Sequence, residues 1–202
     1  GIPAAAQALS ATGGAEAATA VMTTDTVSKQ SVARHADGWT IGGMAKGAGM
    51  LAPGLATMLV VVSTDARIEP TVLDRALRAA TRLTFDRVDS DGCMSTNDTV
   101  IVLANGASDT TPEEGEFTDL LTGVCHDLAQ QLLSDAEGSS HDIAVTVTNA
   151  ATEEDAVKVG RSITASNLFK CAIFGRDPNW GRVLSALGTT DAAYDPDEVD
   201  VS

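Results

Sequence analysis

A reactive threonine is the first candidate for chemistry in this sequence. Residues 46–66 read KGAGMLAPGLATMLVVVSTDA, so a run of small residues ends at Ala56 and large apolar residues begin just after Thr57. A threonine hydroxyl is a weak nucleophile until a base removes its proton. Cleavage between Ala56 and Thr57 would supply such a base, because a free α-amine has a pKa of about 7.7–8.0. Gly54 and Ala56 permit the tight backbone that this cleavage needs. The alternative is an ordinary loop that enters a buried strand.

Lys46 lies in GGMAKGAG, which matches a phosphate-binding loop only in part. The P-loop motif has Ser or Thr directly after Gly-Lys at the head of a helix, whereas Gly47, Ala48 and Gly49 follow Lys46. Phosphate binding is therefore a minor alternative. A solvated loop lysine and a cation for an anionic substrate are the other two interpretations.

Metal and thiol chemistry are not predicted. His35, His126 and His141 are scattered, with no HExxH motif and no cysteine-histidine cluster, so we expect no metal site.

The three cysteines form no CxxC pair, which fits a reducing, cytoplasmic compartment. Cys171, in FKCAIF, is expected to be a small core residue. Cys125 precedes His126 in a predicted helix, where neighbours point in different directions and cannot act as a nucleophile-base pair.

The composition indicates a soluble globular protein. Its 202 residues are 44% apolar and 20% charged, and no apolar run approaches the roughly 18 residues that a membrane helix needs. A net charge of −15 and an aromatic content of 3% argue against nucleic acid and anionic membranes as partners.

The chain lacks an initiator methionine, and the terminal DEVDVS alternates like a strand that stops without a turn, so we expect a fragment or a processed product.

The elements that must position these residues alternate between helix and strand. The first part of the chain predicts a helix that ends at 16–22, a hairpin with strands at 29–35 and 39–44 around an Asp-Gly turn, and a buried strand from Met58. A helix follows from Pro70, and then a strand at 99–103.

The second part continues this alternation. The pattern predicts a helix from a capping box at 111–114 to a glycine cap at Gly138, a strand at 143–148, a helix capped by Thr152, a strand at 168–174 and a short helix at 183–187. This order indicates an α/β fold in one intertwined domain, and it leaves the strand order open.

Five segments together resemble the glutamate N-acetyltransferase family, also called the ornithine acetyltransferase family, of arginine biosynthesis, in its actinobacterial form. They are AVMTTDTVSKQ at 20–30, GMAKGAGMLAPGLATMLVVVSTDA at 43–66, STNDTVIVLANGAS at 95–108, SDAEG at 134–138 and NLFKCAIFGRDPNWGRVL at 167–184. Each segment alone is a weak signal, but the ordered set spans nearly the whole chain and is specific.

The resemblance implies a self-processing, N-terminal-nucleophile-like α/β fold of the layered α+β sandwich type. The precursor would cut itself between Ala56 and Thr57, so that 1–56 ends the α chain and 57–202 begins the β chain, with two copies of each in a heterotetramer. Thr57 would then carry an acetyl group from N2-acetyl-L-ornithine to L-glutamate in a ping-pong reaction. No cofactor is implied, and acetyl-CoA is a possible second acetyl donor.

The resemblance also implies substrate-binding roles for Thr23, Lys46 and Glu137, besides Thr57. Thr23 is the first threonine of MTTDT, and its alternative role is a polar cap at a helix end. Lys46 would hold the substrate carboxylate. Glu137 of DAEG would bind the ornithine ammonium groups, and its alternative role is a solvated residue at a helix end.

Two other family motifs have no chemical role assigned. Asn179, Trp180 and Arg182 are expected to form a tight turn that opens a helix, with Trp180 packed. Asp98 is expected to act in a cap or turn.

By the same resemblance, the oxyanion-stabilising Thr-Gly pair precedes residue 1, and a substrate-binding Asn and a Ser or Thr follow Ser202. We therefore expect this segment alone neither to cut itself nor to transfer acetyl groups efficiently. Rival hypotheses are a self-processing aminopeptidase or amidase, a phosphate-binding module and a non-catalytic interaction module.

Overall fold

A four-stranded sheet forms the centre of the computed structural model, which describes residues 1–49, 58–93 and 96–202. The strands are β1 (Lys29–Arg34), β2 (Thr40–Lys46), β3 (Leu59–Thr64) and β4 (Thr99–Ala104), and they lie side by side in that order. β2 is antiparallel to both β1 and β3, and β4 is parallel to β3. The predicted hairpin is confirmed, with Gly38 in the left-handed region of its turn at a φ of 93°.

Seven α-helices are assigned in the described residues, and most match the predictions. α3 begins at Pro70 and α4 covers the predicted long amphipathic helix, but the N-terminal helical region is divided in two. The seven are α1 (Ile2–Gln7), α2 (Gly14–Ala20), α3 (Pro70–Leu83), α4 (Glu114–Ser134), α5 (Glu153–Ala165), α6 (Asn167–Phe174) and α7 (Trp180–Leu187), with short 3-10 turns at Phe85–Arg87 and Pro196–Glu198.

The main core lies between one face of the sheet and the helix pair α3 and α4. Burial of apolar area drives this packing, and the largest buried side chains come from both layers: Trp39, Ile41, Val60, Val62, Phe117, Leu121, Leu128 and Leu132. On the opposite sheet face, Val32, Ile101 and Leu103 are exposed. In the described part of the chain, α3 and α4 thus cover one face of the sheet, and apolar side chains are exposed on the other.

The predicted strand at 168–174 is wrong, because NLFKCAIF forms α6. A short apolar run is compatible with either structure by periodicity alone. The Ser166 side chain accepts a hydrogen bond from the Phe169 N–H, which satisfies a free donor at the helix start. Phe169 packs with Ile163 of α5 and Ala186 of α7 in a second, smaller cluster.

Two further predicted strands, at 143–148 and in the terminal DEVDVS, are also wrong for this chain. Both segments alternate as strands do, but a strand needs a partner for its backbone hydrogen bonds. In the described part of the chain, the four paired strands are β1 to β4.

The helix ends differ in how well sequence predicted them. Thr152 caps α5 as expected, since its side chain accepts from the Asp155 N–H. The predicted capping box is wrong: Glu113 is the N-cap of α4 and makes no side-chain cap bond. α4 ends at Ser134, and Gly138 turns the chain four residues later with a φ of 73°.

Cys125 and Cys171 differ in burial. Cys125 is buried on α4, and burial raises the pKa of its thiol to about 12, so it is an inert core residue. Cys171 was expected in the core but is exposed, because α6 turns it away from the small cluster.

Among the described residues, no helix has the length and apolar character that a membrane crossing requires.

Candidate functional site

The end of β2 brings Lys46 and Thr23 together. Lys46 is the last residue of β2, and only 5% of it is exposed, so it is not the solvated loop lysine that the sequence allowed. Its Nζ donates a hydrogen bond of 3.0 Å to Oγ1 of Thr23, which lies in the segment between α2 and β1. A neutral hydroxyl does not neutralise the ammonium charge, so this contact leaves the charge available to an anionic ligand group.

Glu137 approaches the same place from the end of α4. Its backbone N–H donates to the Ala48 carbonyl at 2.5 Å. Its carboxylate oxygen lies against Gly49, 3.2 Å from the point that a Cβ would occupy there. Three of the four predicted substrate-binding residues thus meet within a few residues of the end of β2, although they are far apart in sequence.

Ala56 and Thr57 lie outside the described residues, so the predicted cleavage site is not located. The described residues on either side of that segment are paired, because Lys46 of β2 is the partner of Leu59 of β3. The Met58 N–H donates to Oδ1 of Asp98 at 2.8 Å. Asp98 therefore holds the residue that follows Thr57, a more specific role than the predicted cap or turn.

Asp25 contributes a contact that the sequence analysis missed. Its carboxylate accepts hydrogen bonds from the Gly47 N–H at 2.7 Å and from the Thr23 N–H at 3.1 Å. Burial alone would raise the pKa of Asp25, but these bonds and the nearby Lys29 ammonium together hold the pKa below its usual range. Asp25 is therefore a fixed anion beside the candidate site.

Lys29 and Asp135 were missed as well. Lys29 is fully buried and forms ion pairs with Asp25 at 2.7 Å and with Asp135 at 2.6 Å. Burial would raise the pKa of Asp135, but hydrogen bonds from Lys29 and Thr26 lower it to about 2. The i,i+4 spacing of Asp25 and Lys29 was the only signal in the sequence, and outside a helix that spacing implies no contact.

A cavity of about 910 Å³ opens beside Ala48 and Glu137. It is also lined by Arg161, Lys170 and the segment 139–147. Such a volume is within the usual range for small-molecule sites. Glu137 therefore borders a space large enough for an amino-acid ligand, whereas Lys46 and Thr23 are not among the residues that line it.

The DPNWGRVL motif has a structural role in this chain. Asn179 caps α7 by accepting from the Arg182 N–H, and Nη1 of Arg182 donates to the Leu168 carbonyl at 2.7 Å. The predicted turn is confirmed. Trp180 was expected to be packed, but it is 66% exposed, because the first residue of α7 points away from the small cluster.

One group of possible metal ligands lies far from this site. His35, Asp37 and Glu116 have ligand atoms within 4.8 Å of one another, near the hairpin turn at the opposite end of β2. Asp37 and Glu116 are exposed, and Nδ1 of His35 already accepts from the Asp37 N–H. The absence of a metal requirement stays a prediction.

Relatives of known name match the chain along its full length. It is 66% identical over 202 residues to the "Arginine biosynthesis bifunctional protein ArgJ" of Streptomyces coelicolor, covering 100% of this chain and 52% of that protein. The protein of the same name from Thermobifida fusca is 59% identical, with the same coverage of both chains. The chain thus spans about half the length of the curated relatives it matches.

A solved structure supports the fold. The crystal structure of the arginine biosynthesis bifunctional protein ArgJ from Bacillus halodurans aligns with a TM-score of 0.62 at 38% identity, covering 68% of this chain and 66% of that one. The predicted α/β class and the family resemblance are both confirmed. Since the ArgJ family model also matches residues 1–202, the chain belongs to the ArgJ family.

Proposed function

We propose that the complete protein containing this chain transfers an acetyl group from N2-acetyl-L-ornithine to L-glutamate in arginine biosynthesis, in the cytoplasm. The observation that carries the proposal is the hydrogen bond between Lys46 and Thr23, together with the contacts of Glu137 to Ala48 and Gly49, two and three residues after Lys46. These three residues were predicted to bind substrate from separate motifs, and they meet at the end of the strand that leads to Thr57. The relatives named for arginine biosynthesis support the proposed pathway.

The charges near the end of β2 suit an amino-acid ligand. The Lys46 ammonium would bind the α-carboxylate, and the Glu137 carboxylate would bind an ammonium group. A specific cation is needed because the net charge of −15 otherwise repels a carboxylate substrate. Acetylornithine offers both groups, as a carboxylate and a side-chain amine.

Thr57 would become reactive in two stages. First, its hydroxyl oxygen attacks the Ala56 carbonyl carbon, the peptide C–N bond breaks, and the α-amine of Thr57 takes the hydroxyl proton. Water then hydrolyses the resulting ester, leaving a carboxylate on Ala56 and a free N-terminal Thr57. The free amine can serve as general base because its ordinary pKa is close to neutral pH.

Acetyl transfer would follow in a ping-pong sequence. The Thr57 oxygen attacks the acetyl carbonyl carbon, the amide C–N bond breaks, and the departing ornithine amine gains the proton that the threonine amine had taken. The glutamate amine then attacks the carbonyl carbon of the acetyl ester, the ester C–O bond breaks, and the proton that the glutamate amine loses passes to the threonine oxygen. An acyl-enzyme divides one difficult exchange into two easier steps. None of these steps calls for a metal or organic cofactor, and acetyl-CoA could load the same threonine.

Pairing of β2 with β3 would keep the two products of cleavage together. The register runs from Ile41 with Thr64 to Lys46 with Leu59, so strands from both sides of residues 56 and 57 share one ladder. Residues 1–56 and 57–202 would then be parts of two chains in one fold. We further propose that two copies of each chain form a heterotetramer, as the family resemblance implies.

Mass spectrometry of the complete gene product tests the proposal. Under denaturing conditions we expect two chains that separate between Ala56 and Thr57, and under native conditions one assembly that contains both. Thr57→Ala should stay uncut, and Thr57→Ser, which keeps a hydroxyl, should still be cut. An uncut wild-type protein would overturn the cleavage step.

The cleaved enzyme should then be given acetyl-labelled acetylornithine with and without glutamate. We expect the label on Thr57 without glutamate and on acetylglutamate with it. Release of free acetate at the same rate in both cases would instead identify an amidase. ATP-dependent protection of Lys46 from chemical modification, without cleavage, would identify a phosphate-binding module.

A further inference from the structure

We propose that Asp25, Lys29 and Asp135 form a buried charge network whose task is to position Thr23, Lys46 and Glu137. Asp25, Lys29 and Asp135 are positioning residues, since each acts through another residue. The inference deepens the proposed function and rests on it for what the positioned residues bind. The positioning of the three residues is argued from contacts that do not depend on the proposed function.

Lys29 is the centre of the network. It is the first residue of β1 and has 0% exposure, and its Nζ lies 2.7 Å from Asp25 and 2.6 Å from Asp135. The side chains of Asp25 and Asp135 are 0% and 6% exposed. One ammonium therefore fixes two carboxylates that come from the segment after α2 and from the end of α4.

Asp25 connects the network to Lys46 and Thr23. Its Oδ1 accepts both from Lys29 and from the Gly47 N–H, and its Oδ2 accepts from the Thr23 N–H. Both residues of the Lys46 to Thr23 hydrogen bond are thus held by one carboxylate, directly for Thr23 and through the next peptide unit for Lys46. A shift of Asp25 would move both of them.

Asp135 connects the network to Glu137. It accepts from the Thr26 N–H at 2.9 Å and from the Thr26 hydroxyl, so it also anchors the segment that carries Thr23. Two residues later, Glu137 donates its N–H to Ala48. The segments 23–26, 46–49 and 135–137 are therefore joined through one buried ammonium.

Energetics favour positioning over stability as the reason for this network. Desolvation of buried ions is costly, and well-packed apolar side chains in their place are often neutral or stabilising. Apolar side chains could fill these positions, whereas only acceptor groups can bind the backbone N–H groups of Thr23, Thr26 and Gly47, which lie in the segments that carry candidate site residues. Preorganised polar groups of this kind lower the cost of ordering a site around its ligand.

Hydrogen exchange of the complete gene product tests the positioning without reference to activity. In Asp25→Ala we expect the Gly47 and Thr23 amides to exchange roughly 10-fold faster or more, the effect of losing a hydrogen bond to a charged group. Lys29→Met should do the same and also affect Thr26. Amides in the β2–β3 ladder should keep wild-type exchange rates. Unchanged protection at Gly47 and Thr23 would overturn the inference.

Steady-state kinetics on the same variants tests the consequence. We expect the KM for acetylornithine to rise roughly 10- to 100-fold while kcat changes far less. The matched control is Thr84→Val, which removes another buried hydrogen bond, from the Thr84 hydroxyl to Ala80, away from the site. It should lower thermal stability and leave KM unchanged. An equal rise in KM in the control would show a merely structural effect and overturn the inference.

If Asp25→Ala fails to fold, Asp25→Asn replaces it, because the amide keeps one acceptor oxygen and should give an intermediate effect. A wild-type protein that transfers no acetyl group would remove the proposed function only. The exchange result would still confirm or overturn the network.

Discussion

Lys46 illustrates how the surroundings of one residue select among its possible roles. The sequence allowed a solvated lysine, a phosphate ligand and a substrate ligand. A phosphate-loop lysine belongs at the head of a helix, whereas Lys46 ends β2, is almost fully buried and donates to Thr23. A buried ammonium is costly unless it has partners. In the proposed function, the substrate carboxylate would be a charged partner for this ammonium group.

Replacement of Lys46 tests this explanation. Lys46→Met keeps the length of the side chain and removes the charge, so we expect the KM for acetylornithine to rise roughly 10- to 200-fold, the range for loss of a charged hydrogen-bond partner. Lys158→Met is the matched control, since Lys158 is an exposed lysine that pairs with Asp191. Equal KM values for the two variants would exclude Lys46 from substrate binding.

At the scale of elements, β2 and α4 together build the site. Ile41, in the first half of β2, packs in the core, and Lys46 lies at the end of the same strand. α4 crosses this strand with Leu128 and then ends just before Glu137. Any change that separates the strand from the helix should therefore also separate the candidate substrate residues.

Gly43 measures how closely α4 approaches β2. A Cβ at Gly43 would lie 3.0 Å from Leu128 and 3.2 Å from Val62, whereas a Cβ at Gly42, on the other face, would make an ordinary contact of 3.7 Å with Val32. We expect Gly43→Ala to lower the free energy of unfolding by about 1–3 kcal/mol. Gly42→Ala should be neutral or slightly stabilising.

Urea denaturation of the two glycine variants decides the point. A loss of stability in Gly43→Ala alone would confirm the close approach of α4 to β2. Equal stability of the two variants would contradict it.

At the scale of the whole molecule, acidity and the buried network act together. The chain carries a net charge of −15, yet Asp25, Lys29 and Asp135 concentrate two negative charges and one positive charge in its interior. Both carboxylates have lowered pKa values, so protons bind them more weakly in the folded than in the unfolded state. Their contribution to stability is therefore fully present above the unfolded pKa and is lost as the pH falls through the folded one.

Acid titration of stability gives a prediction for Asp135. Its pKa falls from 3.8 to about 2 on folding, so it should contribute about 2 kcal/mol to the free energy of unfolding above about pH 5 and lose this between about pH 4 and pH 2. The difference between wild type and Asp135→Asn, measured by urea denaturation across that range, isolates the effect from the general loss of charge.

Asp74→Asn serves as the control, because Arg78 lowers the pKa of Asp74 in an exposed ion pair that solvent screens. We expect a much smaller pH-dependent difference for it. A flat difference for Asp135→Asn across the acid range would contradict the prediction.

The sequence alone determined the local features and the family. Asp37-Gly38 specified its hairpin turn, and the spacing from Pro70 specified α3, because both signals depend on neighbours within a few residues. The five motifs identified the family and selected Thr23, Lys46 and Glu137. Local chemistry of this kind is written in consecutive residues.

Only the tertiary structure decided what depends on distant partners. NLFKCAIF forms a helix whose Phe169 packs against α5 and α7, and 143–148 forms no strand despite its alternation. The network of Asp25, Lys29 and Asp135 joins residues more than a hundred positions apart. No local pattern encodes such a contact, since the chain must fold before a buried charge has its partner.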